Sequence, residues 1–215
     1  MAHIRIIFMR DPKIIFGRLG NSLFQYAYIY AQMKRGEIPD IFIQNPKYFE
    51  EYKDEIKALF SEGIGYLPYV AMHVRRGKNP INPDEPAYSE NPFYTNLLET
   101  RYYAEAIDHF PRRKFLIFSD DMEFCKANFQ GELFGFDESE TDLESFNKMS
   151  SCESIITSNS SFSWWCAFLG DDKKKVICPS ETSWYSDGQI RTKVPKDWIQ
   201  ITPQKLTIPN EIEKH

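Results

Sequence analysis

The sequence lacks most of the features that announce common chemistries. No apolar run approaches the roughly 20 residues of a membrane-spanning helix. The opening segment, an apolar stretch broken by arginines and Asp11, does not have the layout of a secretory signal. A cytoplasmic protein is expected. Cysteine is scarce and scattered: Cys125, Cys152, Cys166 and Cys178 form no CxxC pair and have no histidine nearby, which points to reduced core thiols. His3, His73, His109 and His215 are far apart, so no metal site is expected. Basic excess is also missing. The net charge is −5, which speaks against nucleic acid as a partner. There is no GxGxxG and no GxxxxGK[ST], so neither an ordinary dinucleotide-dependent dehydrogenase nor a P-loop ATPase is indicated. Asn159-Ser160-Ser161 matches a glycosylation sequon, taken as chance without a secretion signal.

What is present is an α/β pattern. Apolar residues make up 42% and aromatics 15%, enough for a folded core rather than a disordered chain. Short apolar strands are expected at 70–75, 115–119, 133–136, 154–158 and 175–178, alternating with helices at 101–109, 121–129, 142–152 and 162–169. That alternation predicts βαβ units and a parallel sheet covered on both faces. Before it lies a smaller α/β piece with strands at 4–9 and 14–16. A helix follows, for which Gly17 and Gly20 permit a turn, Asn21 is the N-cap and Gly36 the stop. A further helix is expected at 46–61. The expected units are 1–68, 69–202 and a loosely attached tail, 203–215.

Four constellations could carry chemistry. In HVRRGKN, the strand period puts His73 and Arg75 on one face and Arg76 on the other, at a strand end where α/β proteins bind ligands. A guanidinium there can hold a phosphate bidentately, and Gly77 allows close backbone approach. The alternative is pairing of both arginines with carboxylates. In SNSSFSWW, Asn159, Ser160 and Ser161 stand at a helix start whose free N–H groups suit an anion; simple capping is compatible with that. After FLIFS, Asp120 or Asp121 could contact a ribose or a hydroxyl, or cap the helix that follows. Gly17, Gly20 and Asn21 form the fourth, again at a helix start.

Together these segments resemble glycosyltransferase family 11, the α-1,2-fucosyltransferases, within the wider group of GDP-fucose-dependent enzymes. The family's GGLGNQMFQYA-like segment is GRLGNSLFQYA at 17–27; its HxRRGD is HVRRGK at 73–78; its FSDD-like strand end lies at 118–121; its SNSSFSWW stands intact at 158–165. A YFQSEKYF-like stretch is echoed by FIQNPKYF at 42–49. The resemblance implies a GT-B-like fold with a Rossmann-type donor half and a shortened N-terminal, acceptor-side half. It implies inverting transfer of fucose from GDP-fucose to a glycan hydroxyl, a β-galactoside being one candidate acceptor, with no metal cofactor. It also admits peripheral attachment to a membrane where glycans are assembled. Arg75 would anchor the diphosphate with His73 beside it, Arg76 near it, and Ser160 and Ser161 contacting nucleotide or phosphates.

Three departures stand out. The motif's Asp is Lys78 here. The Asp that reads guanine in relatives aligns with Ser145, with Asp142 or Glu144 as substitutes a helical turn away. About 46 residues separate Ala27 from His73, where relatives have far more. The general base is open among Asp84, Glu85 and His73. Two other readings remain: a non-catalytic nucleotide- or sugar-binding module of the same fold, or transfer from another nucleotide sugar.

Overall fold

A computed structural model describes residues 19–35, 44–78 and 84–206. The strands expected at 4–9 and 14–16, Gly17 and the helix stop at Gly36 lie outside these residues. Six parallel strands form one sheet: β1 (Leu67–Val74), β2 (Phe115–Ser119), β3 (Phe134–Phe136), β4 (Cys152–Ile156), β5 (Lys175–Pro179) and β6 (Ile199–Ile201). Their order is β3-β2-β1-β4-β5-β6, the Rossmann-type arrangement of a GT-B-like α/β protein. The central strand is buried continuously from Val70 to Val74, as a strand covered on both faces must be. The edge strands β3 and β6 have three residues each. β6 was not anticipated, because Ile-Gln-Ile is too short to show a period.

Helices cover both faces. Against one face pack α3 (Tyr102–Asp108) and α4 (Met122–Asn128), around Val70, Met72, Val74 and Ile117. Against the other pack α1 (Leu19–Arg35), α5 (Asp142–Ser151) and α6 (Ser161–Leu169), around Ala71, Phe118 and Ile155. The last core is aromatic. Phe24 of α1 lies 4.5 Å from Trp164 and 5.1 Å from Trp165, ring centre to ring centre. Trp165 in turn stacks on Phe49 at 5.6 Å. The described residues ahead of β1 therefore share a core with α6.

Three local expectations need correction. Asn21 is not an N-cap: α1 already begins at Leu19. The helix expected at 46–61 is broken into 3-10 turns at Pro46–Tyr48 and Glu50–Tyr52, followed by α2 (Lys53–Phe60). Between the turns Phe49 takes an extended φ of −141° and buries its ring against Trp165. The tail is not loose through Leu206. Arg101 N–H donates to Gln204 O at 2.9 Å, and Leu206 N–H to Glu99 O at 3.0 Å.

Candidate functional site

A cleft of about 710 Å³ opens at the carboxyl edge of the sheet, over β1 and β4. These two strands are the topological switch point, where open α/β sheets bind ligands. The size falls within the roughly 300–1,000 Å³ usual for small-molecule sites.

The exit of β1 follows the strand period. His73 and Arg75 continue the face of Ala71 and line the cleft. His73 is buried, its ring stacked on Phe162 at 5.6 Å. Its Nδ1 lies 2.7 Å from Ser158 Oγ, and its carbonyl accepts the Tyr103 hydroxyl at 2.9 Å. Arg75 is only 11% exposed, so its charge requires a partner, and it pairs with Asp120. Its guanidinium also lies 5.1 Å from the centre of the Tyr88 ring. Asp120 thus holds an arginine rather than capping a helix, and it also accepts the Arg76 N–H at 2.8 Å. Gly77 makes this clasp possible. A Cβ there would lie 2.7 Å from Asp120 O.

Arg76 is not a cleft residue. It pairs with Asp121 and stacks over Phe124 at 4.2 Å, on the α4 side of the sheet. Asp121 is the N-cap of α4, accepting the Phe124 N–H at 3.1 Å. Lys78 is exposed and outside the cleft lining.

The turn from β4 into α6 supplies the opposite wall. Ser160 caps α6, accepting the Phe162 N–H at 3.4 Å. Ser160 and Ser161 both line the cleft. The helix start has a positive dipole end, which favours an anion, although its Phe162 N–H is taken by the cap. Asn159 also lines the cleft, but its amide hydrogens are spent: they donate to Thr95 O and Trp184 O, each at 2.9 Å. It is 4% exposed, which excludes it as a glycan acceptor.

From α1, Gly20 lies against the start of α6, where an added Cβ would stand 2.4 Å from Ser161 C. Its role is close helix contact, not a turn. Asn21 Oδ1 accepts Ser161 Oγ–H at 2.8 Å and Gln44 Nε2–H at 2.9 Å. Gln44 Oε1 accepts the hydroxyl of the buried Thr192 at 2.7 Å, extending the chain behind the cleft lining.

At the β2 end, Asp142 and Ser145 line the cleft and Glu144 does not. Glu144 closes a capping box with Thr141, so its carboxylate is committed to the backbone. Ser145 Oγ–H donates to Asp137 at 2.7 Å. Burial pushes the Asp137 carboxyl up, but hydrogen bonds from Lys148, Ser145 and Ser139 outweigh it and hold the group below the usual carboxylate range. Of the base candidates, His73 and Glu85 line the cleft and Asp84 does not.

One wall escaped sequence reasoning altogether. Tyr88, Phe93, Tyr94, Trp184, Tyr185 and Arg191 close the β5 end of the cleft. Tyr88 and Tyr94 stack at 4.2 Å, and Arg191 lies over Tyr185 at 4.8 Å and over Phe93 at 5.0 Å. The available signal was the aromatic density of YSENPFY and TSWY. Among the described residues no cluster of three His, Cys, Asp or Glu side chains is placed to hold a metal ion.

The family model described as Glycosyl transferase family 11 matches residues 9–202. An alpha-1,2-colitosyltransferase of Escherichia coli is 30% identical over 203 residues, which cover 82% of this chain and 67% of that protein. The O-antigen biosynthesis glycosyltransferase WbnK of Escherichia coli is 27% identical over 140 residues, or 61% of this chain and 44% of that one. The chain thus spans about two thirds of one relative and under half of the other. No solved structure matches it.

Proposed function

The chain belongs to glycosyltransferase family 11, and from that premise we propose that its cleft binds GDP-fucose and transfers the sugar, with inversion and without a metal ion, to a glycan hydroxyl. The observation that carries this is the pairing of a nearly buried guanidinium, Arg75, with the start of α6 at Ser160 and Ser161 around one crevice. In the transfer, the acceptor oxygen bonds to the anomeric carbon as the bond to the diphosphate breaks, leaving negative charge on the departing oxygen. A fixed guanidinium and a helix N-terminus meet that charge without reorganising. Arg75 is preorganised for this by Asp120 and Tyr88.

Asp142 and Ser145 supply a carboxylate and a hydroxyl at the β2 end, groups able to read the N–H edge of guanine. The acceptor proton passes to Glu85, the carboxylate among the earlier candidates that lines the cleft. His73 orients the β4 turn through Ser158. A glycan ending in a β-galactoside is the acceptor this reading takes.

A second reading, the same chemistry with another donor sugar, is favoured by the relative named for colitosyl transfer. A panel of GDP- and UDP-linked sugars, a colitosyl donor among them, separates the two when nucleotide release is followed with a β-galactoside present. Release from GDP-fucose that scales with enzyme and disappears in Arg75→Ala supports the first. Release from a different donor alone selects the second. No release from any donor contradicts both.

A further inference from the structure

We propose that Phe93, Tyr94, Tyr185 and Arg191 form a subsite for a neutral pyranose, the acceptor sugar; this rests on reading the cleft as a glycosyl-transfer site. Two loops build the wall and are laced together before any ligand arrives. Ser186 N–H donates to Phe93 O at 3.1 Å, Thr95 N–H to Trp184 O at 3.3 Å, and Tyr94 bridges Tyr185 in antiparallel fashion. The rings are set at angles to one another: Phe93 meets Tyr94 at 79° and Tyr185 at 61°, each at 5.1 Å. Arg191 covers one face of Phe93 and of Tyr185, and Tyr88 one face of Tyr94, so a ligand whose faces carry C–H groups, as a pyranose does, meets the exposed part of Phe93 and the ring edges beside it.

Charge decides between sugar and nucleotide. Arg191 is the cation of this wall, and Asp187 forks onto it with hydrogen bonds of 2.9 and 2.7 Å. The pair adds no net positive charge. Arg75 is likewise paired, with Asp120, but it faces the N-terminus of α6, and that helix end rather than this wall is where a diphosphate is drawn. The wall is also open. Phe93 is 45% exposed, so a ligand can rest one face on the rings while the rest of a glycan extends into solvent.

The test is saturation-transfer NMR on the full chain with saturating GDP and four probes: the methyl glycosides of β-galactose, β-glucose, β-N-acetylglucosamine and α-mannose. Phe93→Ala is expected to weaken the bound glycoside about tenfold, and Phe93→Tyr to restore it. GDP-induced stabilisation should be the same in all three proteins. An undiminished signal in Phe93→Ala, or no transfer to any glycoside in the parent chain, overturns the proposal. So does a GDP response lost in Phe93→Ala alone, since the wall would then hold the donor. Failure of GDP to stabilise the parent chain counts against the donor reading instead, because glycoside contact is read separately.

Discussion

Arg75 and Arg76 are adjacent, both paired with aspartates and both set against an aromatic ring, yet they face opposite sides of the sheet. Strand period alone foretold that division. It did not foretell that Arg76 would be spent on α4, because Asp121 and Phe124 come from a distant segment. Lys78 draws the eye in sequence, as the place where a carboxylate became a cation. In the fold it is exposed and away from the cleft. Lys78→Ala should thus leave GDP affinity within about twofold by calorimetry; a larger loss would give this lysine a phosphate contact. Glu85→Gln should lower kcat by about 100-fold or more while GDP still stabilises the protein, the signature of a lost base rather than a lost binding group. An unchanged kcat would move the base elsewhere. Gly20→Ala should cost about 1–3 kcal/mol in denaturant melts, since its Cβ meets backbone rather than a movable side chain.

Elements were legible where apolar runs met clear stop signals. β2 matched its expected span, and the other long strands fell within two or three residues. The failures have physical causes. Residues 46–61 carry good helical residues, but seating Phe49 on Trp165 breaks the run. The wall at 88–94 and 184–191 has neither period, so its placement depends on long-range contacts such as Asn159 to Thr95 and Trp184. Asn159 is best understood as the tie between the α6 start and that wall. Asn159→Ala would strand the part-buried Thr95 carbonyl and take one of two donors from the Trp184 carbonyl, which keeps the Thr95 N–H, and should destabilise the chain by about 1–3 kcal/mol. A loss under about 0.5 kcal/mol would show the tie to be dispensable. The α5 capping box gives a milder case: Thr141→Ala should cost about 1 kcal/mol, seen as a fall of about 2–4 °C in Tm.

For the whole molecule, stability should hold a plateau near neutrality and fall on both sides. Burial raises the Cys152 thiol from 9.0 to about 12 and pushes Cys166 and Cys178 up as well. A raised thiol stays protonated in the fold after the unfolded chain has lost its proton. Its contribution is thus complete below pH 9 and lost as pH rises toward the folded value. Lys174, lowered from 10.5 to about 8 by burial, works the other way but is a single group. On the acid side, Asp137 and Asp172 are held low. Their contribution is present above the usual carboxylate range and disappears as pH drops through their folded values. Denaturant melts from pH 2 to 11 check this; a stability still rising from pH 9 to 11 would contradict it.

At this scale the β1–β4 crevice was readable in advance, because HVRR and SNSSFSWW mark the ends of the two strands that meet at the switch point. The melting curve with and without GDP, in the parent chain and in Arg75→Ala, bears most directly on that crevice. At about 100 times its Kd, GDP should raise the parent Tm by about 5–10 °C and leave Arg75→Ala within about 1 °C of its ligand-free value. A parent curve that GDP does not move, or a full shift retained without Arg75, would mean that the cleft at β1 and β4 is not the diphosphate site.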